Sequence, residues 1–447
     1  MYTREQVKAI TDKLLNMANG DAQVEFSGGE RSGTRYANST ITTNLIQHDQ
    51  EVSITVYPGQ RRGTASTRDF SDAGLTLAVD DAMKRSSTGR ETETAPVLLG
   101  PQQYIAVDAA LPAAVNFGPR ERAEMVKESL DVCDAKGVVG AGYIPKIDQT
   151  TCTANSKGLF SYYRVAEASF ILTCRMADGS GSGWAGTTGI KDPSTIDAAG
   201  LTAIAADKAL NSRKARALEP GRYTVILEPR ANARFLSLLT GIFNARAAED
   251  GRNFLSKPGG ATKVGEKVFS EMLTLKSDIG NPILRQQPMM NDNRPAAPVT
   301  WIEKGVVKNL FYDETYATEK KIAPTPAATN MSLVMEGTDQ SVEDMIKSTR
   351  RGLLVTFFWY IRGVDQDTLL NTGMTRDGLF LIENGEITMP VQNFRWNMSP
   401  LVGYNNLTAV GRPVPMHMGE SYDGGNTALI PPVRMEDFYM TSVSPAV

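Results

Sequence analysis

The sequence has 447 residues, of which 41% are hydrophobic and 22% charged, and its formal net charge is -3. A chain of this length can bury a large core and usually divides into two or three domains. Its charge balance gives no basic face of the kind that nucleic acid requires, so no nucleic-acid partner is expected. The three cysteines form no CxxC pair, and no stretch has the length and apolarity of a membrane span. These features predict a cytoplasmic protein with reduced thiols and no membrane partner.

The first 90 residues predict a module of helices and antiparallel strands. Apolar residues at helical spacing predict an opening helix over 4–18. Alternating residues then predict four strands, which are 23–27, 35–42, 51–57 and 62–67. A helix over 69–87 follows. His48 lies between two of these strands, in a segment predicted to be a polar turn.

The middle of the chain predicts a second sheet with helices. An irregular connection over 90–118 leads to a helix over 120–136. An antiparallel meander follows, with strands at 138–143, 149–155, 160–175 and 183–188. A helix over 196–211 closes this part. The sequence Glu219-Pro220-Gly221-Arg222 predicts a boundary between a domain at 1–218 and a domain at 219–447.

The second half of the chain changes in character. A strand at 223–227 and a helix over 231–249 are followed mostly by short strands with Gly, Pro and Asn turns. An apolar strand at 353–360 precedes a turn-rich segment at 372–378. A hairpin is then predicted around Glu383-Asn384-Gly385. The predicted fold class is therefore α+β, with a mixed helix and sheet N-terminal domain and a β-rich, largely antiparallel C-terminal domain.

Histidine is too scarce for the usual metal and nucleophile sites. The only histidines are His48 and His417, so two His on one helix face cannot be built from them, nor can a Ser-His-Asp site be favoured. His417 lies between two Met and could bind a soft metal, but a packing or surface role is the commoner one. The glycine-rich segment 179–186 lacks the Lys-Ser/Thr ending of a phosphate loop and predicts a turn between strands.

Arg376 is a candidate binding residue in the predicted turn at 372–378. A guanidinium there could present a two-pronged donor to a carboxylate. The alternative is a structural pair with the neighbouring Asp377 at the surface.

Several short motifs resemble the TldD/PmbA family in their order and spacing. They are RYANS at 35–39, NSKG at 155–158, the segment 246–271, TG at 372–373, ENGE at 383–386 and PVRMEDF at 432–438. The resemblance implies a zinc peptidase architecture that works as a dimer. In the catalytic branch, a helix carries His-Glu-x-x-x-His and a later Cys completes the zinc site. Here the corresponding positions on the 231–250 helix are Thr240, Gly241 and Ala245, and no Cys follows Cys174.

The resemblance therefore implies a PmbA/TldE-like subunit that has lost the metal. Zinc is expected in a TldD-like catalytic partner, with no catalytic residue, metal or cofactor in this chain and an unfolded peptide as the substrate of the pair. Thr372, Thr375, Arg376 and Asp377 are then candidates for contacts with the groove or the partner. Two alternatives remain: a metal-free homodimer that binds peptides as a scaffold, and the partner of a TldD-like tailoring hydrolase in small-molecule biosynthesis.

Overall fold

The structure is a computed structural model that describes residues 2–89, 91, 97–420 and 426–444. Helix accounts for 26% and strand for 40%, which confirms the mixed α+β class. The helices are α1 Arg4–Ala18, α2 Asp72–Thr88, α3 Pro112–Val115, α4 Pro119–Lys136, α5 Ala198–Asn211, α6 Pro229–Ser237, α7 Ala245–Glu249, α8 Glu314–Lys320, α9 Val342–Lys347 and α10 Pro400–Asn405. None of the helices in the described ranges is long and apolar enough to cross a membrane.

The strands fall into three sheets. They are β1 Ala22–Ala37, β2 Thr40–Val56, β3 Gly63–Thr67, β4 Val139–Asn155, β5 Phe160–Arg175, β6 Ser182–Ile190, β7 Gly221–Leu227, β8 Leu275–Ser277, β9 Val299–Glu303, β10 Val306–Val307, β11 Leu333–Met335, β12 Arg351–Asp365, β13 Leu370–Glu383, β14 Glu386–Pro390, β15 Phe394–Met398, β16 Leu407–Val410, β17 Val414–His417, β18 Thr427–Ile430 and β19 Val433–Val443.

The N-terminal sheet is fully antiparallel, with the strand order β3-β2-β1-β4-β5-β6. Strands β1, β2, β4 and β6 are longer than predicted, whereas β5 has the predicted bounds. Strands β1 and β2 form one hairpin that turns at Asn38 and Ser39, both of which have positive φ. The predicted turn around His48 is therefore wrong, because His48 lies inside β2 and pairs with Glu30. Within the predicted connection at 90–118, residues 90 and 92–96 lie outside the described ranges.

The C-terminal half contains two sheets that are antiparallel apart from two parallel pairings. The larger sheet has the order β12-β7-β19-β15-β13-β14, with β16 beside β19 and β12 also paired with β13. The smaller has the order β10-β9-β8-β11-β18-β17. Strand β7 runs parallel to β12, and β11 runs parallel to β18. The predicted hairpin at Glu383-Asn384-Gly385 is confirmed as the turn between β13 and β14.

The helix predicted over 231–249 is wrong, because the segment is broken into three pieces. Helix α6 ends at Ser237, a 3-10 turn covers Thr240–Phe243, and α7 begins only at Ala245. The side chain of Asn244 accepts a hydrogen bond from the Ala247 N–H at 2.8 Å and so starts a new helix. Gly241 in the intervening turn weakens a continuous helix further.

The segment 372–378 is also not a turn. It lies inside β13, which pairs with β12 on one side and β15 on the other. The pairing with β12 shifts register between Val355 and Phe357, where Asp377 and Gly378 have φ values of 53° and 124°. A sequence rich in Thr, Gly and Asp predicts a turn, whereas here the same residues form a bulged strand.

The two halves of the chain pack against each other through a common apolar core. Ile171 and Trp184 of the N-terminal sheet belong to the same buried cluster as the strands of the C-terminal half. The rings of Trp184 and Phe357 are 5.7 Å apart. The Tyr163 hydroxyl donates to the Arg285 carbonyl at 2.7 Å. The predicted division at 218/219 therefore separates two units that share buried surface.

Candidate functional site

The N-terminal sheet has one face covered by helices and one face free of them. On the covered face, the hydroxyls of Tyr36 and Ser129 of α4 lie 2.8 Å apart, and Arg122 of α4 donates to Thr34 at 3.0 Å. Successive side chains of a strand point to opposite faces. The alternate residues of β1 therefore lie on the other face, here called the open face: Gln23, Glu25, Ser27, Gly29, Arg31, Gly33 and Arg35. These β1 residues are polar apart from Gly29 and Gly33, which have no side chain.

A cleft of about 1010 Å³ lies between the open face and the C-terminal half. The sheet contributes Ile147 from β4 and Tyr163, Val165 and Glu167 from β5. The opposite wall is formed by the segment 286–294, the start of α8 and residues 328–331. A second cleft of about 430 Å³ lies along the same segment, over the open-face residues of β1, β2, β4 and β5.

The segment 285–294 is fixed to the sheet by direct hydrogen bonds. The Ser161 hydroxyl donates to the Asn293 side chain at 2.7 Å, and the Tyr104 hydroxyl donates to the Asn293 carbonyl at 2.7 Å. Asn293 accepts both of these bonds, and Arg285 accepts the one from Tyr163. Both residues have positive φ. The clefts therefore have a preformed wall.

Charges in the larger cleft are mostly compensated. Lys191 pairs with Glu167, and Arg294 binds Asp292 at 2.6 Å. Burial would raise the pKa of Asp292, but the hydrogen bonds from Arg294 hold it below its usual value. The Asp313 carboxylate caps α8 by accepting from the Tyr316 N–H at 2.9 Å. The cleft thus offers paired charges, amides and hydroxyls suited to polar groups of an extended chain.

His417, considered as a soft-metal ligand or a packing residue, is buried at the end of β17. Its backbone N–H donates to the Thr188 hydroxyl at 2.7 Å, and its Nε2 lies 4.0 Å from Glu167 Oε1. It helps to join the smaller C-terminal sheet to β6 of the N-terminal sheet.

The three positions aligned with the family's zinc ligands do not share a helix. Thr240 and Gly241 are in the 3-10 turn, and Ala245 is the buried first residue of α7. The Thr240 hydroxyl donates to the Ser237 carbonyl at 3.0 Å. Next to Ala245, Arg246 lines the larger cleft and binds Glu319 at 2.6 Å. This segment therefore borders the larger cleft, and the side chain that it contributes there is the guanidinium of Arg246, which is not a zinc ligand.

Helix α6 carries two buried arginines that the sequence patterns did not indicate. Arg230 and Arg234 are 2% and 8% exposed. Arg230 donates to the carbonyls of His417 at 2.5 Å and Gly419 at 2.9 Å, and Arg234 donates to that of Met418 at 2.9 Å. Burial lowers the pKa of Arg234. The signal available in the sequence was a pair of Arg four residues apart on a short helix, which usually indicates an exposed face.

The side chains of α6 and α7 do not fit a zinc ion. Zinc in proteins is held by Cys, His, Asp or Glu. Three acidic residues lie at the ends of these helices. Glu228 binds Lys208 at 2.6 Å, Glu249 accepts from two tyrosines and a lysine, and Asp250 binds Arg252 at 2.7 Å. Across the described ranges, no three His, Cys, Asp or Glu side chains are grouped so that they could hold a metal ion.

Glu249 is the centre of a cluster that joins α7 to α8. The hydroxyls of Tyr312 and Tyr316 donate to its carboxylate at 2.6 and 2.7 Å, and Lys320 lies at 2.5 Å. Burial alone would raise the pKa of Glu249, but these hydrogen bonds hold it below its usual value. The cluster fixes the segment that carries Arg246 at the edge of the larger cleft.

The four candidate contact residues on β13 divide into two pairs. Thr375 and Asp377 are each 2% exposed, and the Thr375 hydroxyl donates to the Asn393 side chain at 3.0 Å. Thr372 and Arg376 are half-buried and occupy alternate positions on the other side of the strand. The Arg376 Nε lies 3.5 Å from Asp377 Oδ2, and its guanidinium lies 5.4 Å from the centre of the Trp359 ring. The neighbouring Arg and Asp are therefore close, but the carboxylate is inside the protein.

Three solved structures related in fold cover nearly the whole chain. TldE from Thermococcus kodakarensis has a TM-score of 0.81 at 19% identity, covering 98% of this chain and 100% of the other. A Thermotoga maritima protein described as a candidate modulator of DNA gyrase has a TM-score of 0.81 at 16% identity, covering 97% and 99%. A Bacteroides thetaiotaomicron protein of the same description has a TM-score of 0.79 at 19% identity, covering 99% and 100%. At these identities the likeness establishes the fold alone.

The family models identify the same relationship from the sequence. The model for the PmbA/TldA metallopeptidase C-terminal domain matches residues 220–442. The model for domain 1 of the same metallopeptidases matches residues 22–86. No curated protein matches the sequence. The chain therefore belongs to the TldD/PmbA family of metallopeptidases.

Proposed function

We propose that this chain is the metal-free, PmbA/TldE-like subunit of a two-chain zinc peptidase. A TldD-like partner would hold the zinc ion and cut the peptide. This chain would complete the chamber and hold an unfolded peptide or a modified peptide precursor. The single observation that carries the proposal is the set of side chains on α6 and α7, where Arg230, Asn232 and Arg234 bond to main-chain carbonyls and Arg246 pairs with Glu319.

The sequence supports the same conclusion independently of the geometry. Its histidines are at positions 48 and 417, and its last cysteine is Cys174. A His-Glu-x-x-x-His helix with a later Cys ligand cannot be formed from these residues. The likeness to a solved TldE supports the assignment to the branch that works beside a TldD-like chain.

The open face is the surface we propose for the peptide. Its long antiparallel strands carry polar side chains, and the two clefts along the segment 285–294 give an extended chain a place to lie. The polar side chains of this face can hydrogen-bond the main chain of an extended peptide, which makes binding tolerant of the peptide's side chains. From β13 we propose Thr372 and Arg376 as contacts, with Thr375 and Asp377 supporting them from the buried side.

Co-expression with a chain that carries His-Glu-x-x-x-His tests the proposal. We expect a stable complex that contains zinc, cleaves an unfolded peptide and loses activity on treatment with a chelator. Replacing the glutamate of the partner's motif should abolish cleavage without dissociating the complex. Metal analysis of this chain alone should find no bound zinc. Stoichiometric zinc and chelator-sensitive hydrolysis by the chain alone would contradict the proposal.

The contribution of β13 is tested in the same complex. Arg376→Gln should reduce peptide turnover several-fold, because it removes a charged donor that we propose contacts the peptide or the partner. Arg351→Gln is the matched control, since Arg351 is 62% exposed on the adjacent strand and lies 3.9 Å from Glu383. Equal turnover for the two variants would show that Arg376 makes no such contact.

A further inference from the structure

We propose that a pocket at one end of the open face binds the C-terminal residue of a peptide, with its apolar side chain in the pocket and its carboxylate on Arg35. The pocket, here called the Trp184 pocket, has a volume of about 330 Å³. Its lining includes Arg35, Ala141, Tyr143, Ile171, Thr173 and Trp184. This volume lies at the lower end of the range for small-ligand sites, which suits one side chain rather than a whole cofactor.

One wall of the Trp184 pocket is a stacked pair that the strands hold in place. Tyr143 of β4 lies opposite Arg35 of β1, and the guanidinium is 4.4 Å from the centre of the tyrosine ring. Gly33 makes this possible, because a Cβ at that position would lie 2.6 Å from the Tyr143 ring. The ring therefore rests on the bare main chain of β1. This stack restricts the guanidinium to the mouth of the pocket.

The floor of the pocket is Trp184 of β6, which is 4% exposed. Its ring also contacts Phe357 of β12 at 5.7 Å, so the floor rests on the C-terminal half. The indole N–H is buried and has no hydrogen-bond acceptor among the residues that the structure describes. A buried donor without an acceptor costs free energy.

The cation at the mouth is available for an anion. Within the described part of the chain, no carboxylate forms an ion pair with Arg35, which has only the stack on Tyr143. The acidic residues nearest to it along β2, Asp49 and Glu51, lie 3.6 and 3.7 Å from Arg68. A guanidinium beside an apolar pocket fits a ligand with a carboxylate next to an apolar group. The C-terminal residue of a peptide has this arrangement.

The position of the pocket connects it to the larger cleft. Tyr143 and Ile147 lie on the same face of β4, and Ile147 lines that cleft. Four residues of a strand span about 13 Å. A peptide anchored at its C-terminus by the Trp184 pocket would thus reach the cleft within about four residues. The choice of a peptide over another carboxylate rests on the proposed function.

Binding to the purified full-length chain tests the pocket without a partner. We would titrate N-acetyl-Ala-Ala-Phe with a free carboxylate, the same peptide as its C-terminal amide, and 3-phenylpropionate, following heat release by calorimetry. We expect the peptide acid to bind about tenfold more tightly than the amide and than 3-phenylpropionate, because only the acid uses Arg35, the apolar pocket and the open face together. Arg35→Gln should reduce the preference for acid over amide to less than about twofold.

Arg31→Gln is the matched control, since Arg31 lies on the same strand and the same face but outside the Trp184 pocket. It should leave the preference unchanged. Gly33→Val should weaken the acid and the amide together by displacing Tyr143. Unchanged circular dichroism would show that each variant is folded. Equal binding of acid and amide, no binding of the peptide acid, or an unchanged preference in Arg35→Gln would overturn the proposal.

The outcomes separate this proposal from the proposed function. If 3-phenylpropionate bound as tightly as the peptide acid, the pocket would be a site for small carboxylates and the peptide assignment would fall. If the peptide acid bound as expected but no zinc-containing complex formed with a TldD-like chain, the pocket would stand and the peptidase-subunit proposal would fall.

Discussion

For Asp377, the sequence predicts the neighbouring side chain correctly but the environment wrongly. The sequence gives Asp377 next to Arg376 and allows a surface pair between them. In the structure the two side chains are close, but Asp377 is 2% exposed and has a φ of 53°. Burial raises the pKa of its carboxyl. Sequence reasoning could not find this, because burial here depends on β6 and on the bulge opposite Val355 and Phe357.

The free energy of unfolding of Asp377→Asn, relative to that of the parent protein, is predicted to increase as pH rises from 4 to 7. The folded-state pKa of Asp377 is raised, so between the usual carboxyl pKa of about 3.9 and the raised value the folded protein keeps a proton that the unfolded chain has released. Stability from this group therefore falls as pH rises through that window. Asn keeps the shape, tolerates positive φ and does not titrate. Urea unfolding at several pH values measures the difference between the two proteins.

Asp437→Asn is the control for this prediction. Asp437 also has positive φ, at 58°, but it is exposed on β19. The free-energy difference between this variant and the parent should change little over the same pH range. If the free energies of unfolding of the parent and Asp377→Asn changed in parallel with pH, ionisation of the buried carboxyl would not destabilise the folded protein, and the prediction would be wrong.

At the scale of elements, the cluster around Glu249 determines where α7 lies. We predict that Glu249→Gln lowers the free energy of unfolding at pH 7 by about 1–3 kcal/mol, because it disturbs hydrogen bonds from Tyr312, Tyr316 and Lys320 to a partly buried carboxylate. Since the pKa of Glu249 is lowered in the folded state, its contribution should be present above the unfolded pKa and be lost as pH falls through the folded one. Denaturant unfolding at pH 7 and pH 3 measures both effects.

Glu319→Gln serves as the comparison on the next helix. Glu319 is 52% exposed and pairs with Arg246 at 2.6 Å. Exposed ion pairs contribute little, so this change should cost less than about 1 kcal/mol. If Glu319→Gln lowered the free energy of unfolding more than Glu249→Gln, Glu319 rather than Glu249 would be the main stabilising group.

Strand β1 shows why long strands were missed. Its apolar alternation is interrupted by Gly28, Gly29 and Gly33, so the sequence predicted only a short strand at 23–27. The other predicted strand, at 35–42, covers the end of β1, the turn at Asn38 and Ser39 and the start of β2. The glycines serve close packing between strands. A Cβ at Gly29 would lie 2.5 Å from the main-chain oxygen of Asp148 on β4. The alternation of faces was predictable where side chains were present, but the length of the strand was not.

Gly29→Ala is predicted to cost about 1–3 kcal/mol in the free energy of unfolding, because the new methyl group meets main chain that cannot move without breaking the ladder. Gly20→Ala is the control, since the nearest atom to its new Cβ would be 3.8 Å away. Thermal or denaturant unfolding of both variants checks the prediction. Equal stability of the two would mean that β1 and β4 can separate at this point.

At the scale of the whole molecule, the mixed class and the β-rich second half were predictable, but the joining of the halves was not. Periodicity and turn residues indicate elements, and they carry no information about which buried faces meet. Trp184 and Ile171 contribute to a core formed mainly by residues after 222. The predicted boundary at 218/219 has the expected Pro and Gly residues, yet a common apolar core crosses it.

We predict that the two halves unfold together in denaturant. Three of the four tryptophans, Trp301, Trp359 and Trp396, lie in the C-terminal half, so fluorescence reports mainly on that half. The cysteines all lie in the N-terminal half, and Cys133, Cys152 and Cys174 are at most 4% exposed. Their reaction with a thiol reagent should have the same denaturant midpoint as the fluorescence change. Thiol reaction at clearly lower denaturant would show that the halves open separately.

The rate at which the buried thiols react can report whether a partner has docked on the N-terminal sheet. The sulfurs of Cys133 and Cys174 lie 3.9 Å apart on α4 and β5, beneath the covered face of the sheet. A reagent can reach them only when that helix lifts, so the rate of alkylation measures how often the N-terminal sheet opens. A partner that closes over the opposite face of the same sheet would slow this reaction without touching either sulfur. Docking could thus be followed through the native cysteines, with no label attached to the chain beforehand.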